Sequence, residues 1–384
     1  MIKRKKHYLC NQTKTAYMKT RNILASLLIM ASTLTTMGST TLPLQGSIIP
    51  ATDPNIQYIG RISFKNPEAP LFTYPGVQIN ARFEGTSLRL HFKPESGYFM
   101  VRIDGSEAFK VGFTAKEDSV ATVAVALPQG VHEVRIMNAI ESYQRRPEFR
   151  GFILDEGCHL VAPPAMPSRS IEFIGNSITC GYGVESMNAP DPFEDATENH
   201  YLTYAAITAR NLGAAEYVVA RSGIGVYRNY NGPRTGSPDP MPTQYDYTNF
   251  DDHSELWDFT RYTPDVVCIN LGTNDTSTNN YDGDLLLEAY RKFLKQVRGH
   301  HPKAKIVLLC GSMLGGKELE LVKHHLDQVC QEAHDRGDNE VYRFDFTPQN
   351  GDLKYGASWH PSLWQHQKMA GELTSYLRVL MGWF

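Results

Sequence analysis

The second half of the chain alternates short apolar runs with amphipathic segments, and this rhythm restricts the fold more than any other feature of the sequence. Short apolar runs of this kind are typical of strands buried in a parallel sheet. Their alternation with helical segments predicts βαβ units with right-handed crossovers. We therefore predict a three-layer α/β/α domain over residues 169–384, with strands at 171–174, 217–220, 266–271, 306–309 and 341–346 and helices near 201–212, 285–297, 319–333 and 363–380.

Residues 47–159 follow a different rhythm, in which apolar side chains recur at every second position, as they do across 77–83. Short strands separated by turns predict an all-β antiparallel sandwich, for which we prefer a jelly-roll topology. The sandwich could bind substrate or could only cover one side of the second domain, and the sequence leaves both open. A proline-rich linker at 160–168 marks the boundary. Hairpin-type breaks occur at 84–86, 104–106 and 128–130.

The N-terminal residues are predicted to be a leader rather than part of the fold. Basic residues precede an apolar run at 23–31 that is too short to span a bilayer comfortably, and small residues follow it. This pattern indicates a signal peptide, so we assign 1–46 to signal peptide and leader, with Met18 as an alternative start. It predicts a secreted or periplasmic protein whose mature form has no membrane span. A membrane anchor is the alternative, and the length of the apolar run argues against it.

Charge and cysteine content exclude several classes of protein. The net charge of −3 gives no electrostatic case for binding nucleic acid or an anionic membrane. Of the 6 cysteines, Cys10 lies in the leader, and no Cys-x-x-Cys spacing occurs among the others. We therefore expect neither a disulfide framework nor a zinc site.

Residues suited to chemistry follow the ends of the predicted strands. Ser177 ends the first strand in a turn toward a helix, and the glycine-rich loop 221–225 after the second can aim backbone N–H groups at an anion. Asn274 follows the third strand, and His360 precedes the last helix. Ligands of open α/β sheets bind at the carboxyl ends of the strands. A serine, a donor loop, an amide and a histidine at this edge form a complete set for acyl transfer.

These four motifs resemble the sequence blocks of the SGNH hydrolases. Within that superfamily, Gly-Asn-Ser-Ile-Thr-Cys-Gly-Tyr-Gly at 175–183 and Ser-Trp-His-Pro-Ser at 358–362 look like carbohydrate esterase family 2. Members of this family join a jelly roll to a flavodoxin-like SGNH domain and remove O-acetyl groups from plant polysaccharides. The resemblance therefore implies a secreted serine esterase that deacetylates xylan, glucomannan or mannan through an acetyl-enzyme intermediate.

The resemblance also implies a role for each motif. Ser177 would be the nucleophile and His360 the general base. The oxyanion hole would consist of the backbone N–H groups of Ser177 and Gly225 and the side-chain amide of Asn274. Gly223 is the alternative to Gly225, because the spacing of the loop can be read either way. This chemistry needs no cofactor and no metal.

The acid of a Ser-His-Asp triad is missing from its usual place. SGNH enzymes usually carry aspartate three residues before the histidine, and some family 2 members carry it two before, but Ala357 and Ser358 occupy these positions here. We therefore predict a Ser-His dyad in which a backbone carbonyl from a neighbouring loop accepts the Nδ1 proton of His360. The expected pKa of this imidazole is about 6–7. The nearest alternative carboxylates in sequence are Asp345, Asp352 and Asp275.

Aromatic residues near these motifs are candidates for the substrate cleft. Trp359, beside the histidine, could stack on a sugar ring or could wedge the loop in place. Tyr182, Tyr227 and Trp257 are further candidates, since pockets are enriched in aromatic side chains. The acidic run 191–198 is predicted to be a solvated loop.

Two other functions compete with the esterase hypothesis. The missing acid would suit a carbohydrate-binding protein whose esterase domain has decayed, although Ser177, Asn274 and His360 are intact. The same fold could also serve a lipase or another acyl esterase of the superfamily. The sandwich and the lack of an apolar lid sequence argue against a lipase.

Overall fold

The computed structural model of the protein describes residues 45–384. The predicted signal peptide and leader therefore lie outside the described residues, apart from their last two positions. All of the described residues belong to a single compact unit. None of the described helices is both long and apolar enough to cross a bilayer.

Ten antiparallel strands build the first half of this unit, and they form the predicted sandwich. The strands are β1 (Ser47–Pro50), β2 (Gln57–Ile59), β3 (Gln78–Gly85), β4 (Leu88–Phe92), β5 (Gly97–Ile103), β6 (Phe109–Phe113), β7 (Val120–Ala124), β8 (Gly130–Asn138), β9 (Phe149–Leu154) and β10 (Leu160–Val161). One sheet has the order β1-β9-β4-β7 and the other β3-β8-β5-β6, which is the strand order of a jelly roll. β2 and β10 both pair with β3. The first two residues of the predicted linker thus belong to the sandwich.

Alternating side chains fill the space between the two sheets. Phe92 of one sheet and Phe99 of the other are fully buried, with ring centroids 4.3 Å apart. Phe113 and Phe149 pack on the same centre. Buried aromatic rings contribute large apolar areas, so this cluster accounts for the regular alternation seen in the sequence.

Five parallel strands form the central sheet of the second half, as predicted. They are β11 (Arg169–Gly175), β12 (Ala214–Ala220), β15 (Val266–Asn270), β16 (Lys305–Cys310) and β17 (Val341–Asp345). The spatial order β12-β11-β15-β16-β17 is the flavodoxin-like order, with a switch point between β11 and β15. A small hairpin, β13 (Tyr247–Asn249) and β14 (Asp252–Leu256), lies outside this sheet.

Helices cover both faces of the central sheet. They are α1 (Ser177–Cys180), α2 (Tyr204–Leu212), α3 (Met241–Gln244), α4 (Gly283–His300), α5 (Gly316–Asp335) and α6 (Leu363–Met381). The apolar sides of α4 and α5 share one core with the sheet, and those of α2 and α6 share another. The strands are therefore buried on both faces, which is why they read as continuous apolar runs.

A buried ion pair joins the sandwich to the α/β domain. Arg61 of the first half lies 3.3 Å from Glu172 on β11, and both side chains are inaccessible to solvent. The hydroxyls of Tyr245 and Tyr262 donate to the same carboxylate, and His301 lies 3.1 Å from it. Although burial alone would raise it, these hydrogen bonds and the charge of Arg61 hold the pKa of Glu172 well below its usual range.

Candidate active site

Ser177 lies where β11 ends and α1 begins, at the carboxyl edge of the central sheet. Asn176 adopts an extended conformation there, and its side chain caps the helix by accepting a hydrogen bond from the N–H of Ile178. The turn leaves Ser177 as the first residue of the helix, where a backbone N–H has no partner within the helix. The serine side chain is 7% exposed, so it lies at the base of a site.

The hydroxyl of Ser177 donates to Nε2 of His360 across 2.9 Å. On the other side of the ring, Nδ1 lies 3.1 Å from the carbonyl oxygen of Ala357 and 3.2 Å from that of Ser358. Two acceptors at Nδ1 fix the proton on that nitrogen, which leaves the lone pair of Nε2 facing the serine. The structure thus joins the predicted nucleophile to the predicted base. Backbone carbonyls accept at Nδ1 as predicted, but they belong to the two residues that stand two and three positions before the histidine, not to a neighbouring loop.

A strained turn aims these carbonyls at the imidazole. Ser358 and Trp359 have φ angles of 49° and 59°, a left-handed conformation that is uncommon for residues other than glycine. Hydrogen bonds from the two backbone N–H groups to the carbonyls of Asp191 and Ala189 hold the turn. Such strain persists only where the surroundings enforce it, and it gathers at functional sites.

Burial makes His360 a weaker base than the sequence predicts. Removal from water disfavours the imidazolium and lowers the pKa to about 4, although the two carbonyls at Nδ1 partly oppose this effect. The prediction of about 6–7 took account of the missing carboxylate partner but not of the burial of the ring. Tyr182 contributes to the burial, because its ring stacks on that of His360 at a centroid distance of 4.0 Å.

The three alternative carboxylates are engaged elsewhere. Asp345 pairs with Arg343 and lies 3.7 Å from Lys323, and Asp352 accepts from the side chain of Asn350. Asp275 is fully buried and accepts four backbone N–H groups, from Gly272, Val226, Tyr227 and Arg228. It therefore holds the glycine-rich loop against the loop of Asn274, and none of the three carboxylates contacts the imidazole.

Asn274 lies in the loop that follows β15, with its amide turned toward the glycine-rich loop. Nδ2 donates one hydrogen to the carbonyl of Ile224 across 2.8 Å. This bond fixes the amide plane and leaves the second Nδ2 hydrogen for a ligand. The backbone N–H of Ser177 likewise donates to no acceptor among the described residues.

The structure does not support Gly225 as the third oxyanion donor. Its N–H donates to the side-chain oxygen of Asn229 across 3.1 Å, and a Cβ at this position would lie 2.0 Å from the carbonyl oxygen of Arg228. A glycine is therefore needed at position 225 because the backbone at Arg228 leaves no room for a side chain. Gly223 is half-buried, has a φ of +78° and donates its N–H to no group in the described part of the chain. The geometry therefore favours Gly223, the alternative left open by the sequence, as the backbone donor of this loop to the oxyanion.

Glu141, which the sequence analysis did not single out, reaches this loop from the sandwich. Its carboxylate accepts from the N–H of Ser222 across 2.6 Å, directly before Gly223, and Cys180 lies 3.7 Å away. The N–H of Glu141 in turn donates to Glu198. Burial raises the pKa of both carboxyls above the usual range of a glutamate. Glu198 is fully buried, which corrects the prediction of a solvated loop at its position.

Only two of the four predicted cleft aromatics lie at the site. Tyr182 stacks on His360, and Trp359 is 56% exposed beside it. Trp257 is 5% exposed and packs with Tyr217 and Tyr262 in a separate core cluster. Tyr227 is also buried, and its hydroxyl accepts from the N–H of Asp282. The four aromatic residues were candidates because pockets are enriched in such side chains, but the sequence could not show which rings face the site and which lie in the core.

Sequence profiles of two families match this chain. A profile described as carbohydrate esterase 2 N-terminal matches residues 58–164, and one described as GDSL-like lipase/acylhydrolase family matches 173–368. The two matches correspond to the sandwich and to the α/β domain.

Characterised relatives resemble both halves together. The chain is 37% identical over 333 residues to cellulase/esterase CelE of Acetivibrio thermocellus. The aligned region covers 86% of this chain but 40% of that protein. It is 28% identical over 338 residues to an acetylxylan esterase / glucomannan deacetylase of Cellvibrio japonicus. That aligned region covers 87% of this chain and 91% of the relative. The chain thus spans less than half of the first relative and most of the second.

Solved structures of family two carbohydrate esterases are also similar to this chain. A family two carbohydrate esterase from Clostridium thermocellum, in complex with cellohexaose, superposes with a TM-score of 0.80 at 36% identity, covering 86% of this chain and all of that one. A family two carbohydrate esterase from Cellvibrio japonicus gives a TM-score of 0.79 at 28% identity, covering 88% and 98%. Both comparisons extend over the sandwich and the α/β domain.

Proposed function

Because this chain belongs to carbohydrate esterase family 2, we propose that it removes O-acetyl groups from plant cell-wall polysaccharides, namely acetylated xylan, glucomannan or mannan. The observation that carries the proposal is the contact of 2.9 Å between the Ser177 hydroxyl and an imidazole whose other nitrogen is held by two carbonyls. This pair provides a nucleophile and a base in the geometry that covalent catalysis requires.

The first half of the reaction is acylation of the serine. His360 takes the Ser177 proton at Nε2 as Oγ attacks the acetyl carbonyl, and the carbonyl oxygen becomes an oxyanion. The N–H groups of Ser177 and Gly223 and the amide of Asn274 are the donors for this charge. The imidazolium then gives its proton to the departing sugar oxygen.

In the second half, water replaces the sugar. His360 takes a proton from water, which attacks the acetyl-enzyme, and the same donors meet the second oxyanion. The two carbonyls at Nδ1 keep the tautomer and disperse part of the imidazolium charge, but they supply no full negative charge. The dyad therefore depends more on its oxyanion donors than a triad with aspartate does.

The proposed substrate class rests on the relatives and on the exposed aromatic beside the base. Two relatives are acetylxylan esterases / glucomannan deacetylases. Trp359 presents an open ring next to His360, and such a surface is suited to packing against a sugar. An acetylated polysaccharide is thus the proposed partner of the site.

Hydrolysis of an aryl acetate by the wild type and by Ser177→Ala tests the mechanism. We expect turnover to disappear in the variant while its thermal unfolding midpoint stays unchanged. Residual activity above about one thousandth of wild type would exceed what the remaining donors supply and would assign the nucleophile to another residue. Acetate release from acetylated xylan and acetylated glucomannan, compared with fatty-acid release from a triglyceride, then separates a polysaccharide esterase from a lipase.

Carbohydrate binding without hydrolysis is the second candidate function. One observation favours it: a solved relative holds cellohexaose. If the esterase half were inactive, the wild type would bind cellohexaose but would release no acetate from any substrate of the panel.

We also propose that the protein is exported to the periplasm or the medium. The support is the basic and apolar pattern of residues 1–46. Fractionation of the native host followed by N-terminal sequencing tests it, and a cytoplasmic protein that retains its leader would contradict it.

A further inference from the structure

A second cleft lies between the sandwich and the α/β domain and shares no lining residue with the site around Ser177. Its volume is about 360 Å³, which lies within the range of small-ligand sites. Outward-facing side chains of β2, β3, β5 and β8 form one wall. Residues of α2 and of the start of β12 form the other.

The sandwich wall carries a row of polar side chains across four strands. Gln57 is in register with Asn80, Asn80 with Arg135, and Arg135 with Arg102. Side chains directly opposite on neighbouring strands interact, and like charges placed there are unfavourable. The pairing of Arg135 with Arg102 therefore places two like charges side by side on this wall.

A third guanidinium faces this row from the α/β domain. Arg210, on α2, lies over the ring of Tyr201 at 3.8 Å. Although part of its side chain is exposed, the pKa of Arg210 is lowered, first by the protein atoms around its guanidinium and also by the charge of Arg102. Positive charges from the two domains thus converge on one cleft.

Two of these arginines lack a carboxylate partner within the described chain. Arg135 pairs with Glu133, whereas Arg102 donates only to the carbonyls of Gly105 and Ser106, and Arg210 donates to the carbonyl of Tyr201. Glu216 also lines the cleft, but its carboxylate bonds His200 across 2.9 Å and is buried. The cleft therefore carries an excess of positive charge.

Neutral groups beside the arginines remain free as well. The amide of Gln78 and the hydroxyl of Tyr201 line the cleft, and neither makes a hydrogen bond to a described residue. Met100 and Met137 provide an apolar surface between them. The lining thus matches a ligand that has one anionic group, several hydroxyls and an apolar face.

We propose that this cleft binds a uronic acid residue of the polysaccharide, with its carboxylate between Arg102 and Arg210. The choice of a sugar as the ligand rests on the proposed function. The negative charge of the ligand is inferred from the arginines of the cleft alone. Guanidinium groups pair with carboxylates through two parallel hydrogen bonds. Gln78 and Tyr201 bond the sugar hydroxyls. The enzyme accordingly prefers acidic over neutral polysaccharides, and the contact that causes this preference lies away from the acetyl ester that Ser177 attacks.

Isothermal titration calorimetry on the full chain tests the proposal. The probes are an unacetylated xylo-oligosaccharide carrying one glucuronic acid, the neutral oligosaccharide of the same length, and inorganic phosphate. We expect the acidic probe to bind at least about tenfold more tightly than the neutral one, with an advantage that shrinks as salt rises. Arg102→Met and Arg210→Met should each remove most of this advantage.

Arg82→Met is the matched control. Arg82 lies two residues from Asn80 on the same face of β3 but does not line the cleft, so its removal should leave the advantage intact. Because Arg102 also supports the hairpin at Gly105, Arg102→Lys serves as a second variant that retains the charge and should retain part of the advantage.

Three outcomes would overturn the proposal. These are equal affinity for the acidic and neutral probes, an advantage that survives Arg210→Met, or tight binding of phosphate without binding of the acidic sugar. Aryl acetate hydrolysis, measured in parallel, reports on the proposed function separately. An active enzyme without the acidic preference refutes only the cleft assignment, and an acidic preference in an inactive protein refutes only the esterase.

Discussion

His360 is enclosed by protein, and this determines the pH at which it carries charge. The neutral imidazole is the form that accepts the serine proton, and its pKa is lowered to about 4. We therefore expect kcat/KM for an aryl acetate to stay level from about pH 8 down to about pH 5.5 and to fall below that range as the imidazole becomes protonated. A profile measured from about pH 3.5 to 8 checks this.

Folding must be followed in the same experiment. In the unfolded chain this histidine has a pKa of about 6.5, so between that pH and about 4 the unfolded state binds more protons than the folded state. Its contribution to the free energy of unfolding is complete above about pH 6.5 and is lost as the pH falls. Tryptophan fluorescence at each pH separates unfolding from titration. A midpoint between about 6 and 7 with the protein folded would show a solvated imidazole.

Asn274 tests the oxyanion site with a single side chain. Asn274→Ala removes the free Nδ2 hydrogen, and we expect kcat to fall by about 10²–10³ with little change in KM, the usual effect of losing one such donor. The bond to the Ile224 carbonyl is lost as well, so the unfolding midpoint of the variant is compared with that of the wild type. A fall in kcat of less than about threefold would mean that the amide does not face the oxyanion.

At the scale of elements, the segment 357–360 orients the imidazole, which is one of the two roles of the carboxylate in a triad. The orienting atoms belong to the backbone, so Ser358→Ala should leave kcat within about fivefold of wild type. Ser358→Val should reduce it by more than tenfold, because a β-branched residue resists the left-handed conformation found here. Steady-state kinetics of the two variants make the comparison. Equal kinetics for Ala and Val would show that the carbonyls do not depend on this turn.

Elements with a buried face could be predicted from the sequence, and elements held by distant contacts could not. Helix α4 and strand β15 follow from apolar periodicity alone, because burial repeats along them. The left-handed turn at Ser358 depends on carbonyls at Asp191 and Ala189, far away in sequence. Of the site, the serine, the amide and the histidine followed from their places after strands or before the last helix. The burial that lowers the pKa of His360 left no sequence signal.

At the scale of the whole molecule, the sandwich contributes directly to the catalytic edge. Glu141 holds the N–H of Ser222 and so positions the loop that carries Gly223. Glu141→Ala should lower kcat by about 10–100-fold without raising KM in proportion, because a small displacement of an oxyanion donor is costly. Glu141→Gln should stay within about threefold of wild type, since its side-chain carbonyl oxygen can accept the same hydrogen bond from Ser222.

The comparison of the two Glu141 variants separates positioning from stability. A merely structural role would lower the unfolding midpoint of both variants and leave kcat per folded molecule unchanged. Loss of kcat in Glu141→Ala with recovery in Glu141→Gln is the result expected of a positioning residue. Equal losses of kcat in both variants would show that the hydrogen bond to Ser222 does not position the loop.

The buried pair of Arg61 and Glu172 also orders events during synthesis of the chain. The two residues are 111 positions apart, and His301, the last contributor to the cluster, follows much later. The ribosome therefore delivers the arginine long before its counter-ion, and N-terminal domains generally fold first. A nascent sandwich must keep this guanidinium in water until the rest of the chain arrives. Closure of the interface is thus a late step in biogenesis, and the cluster cannot be complete before His301 has been synthesised.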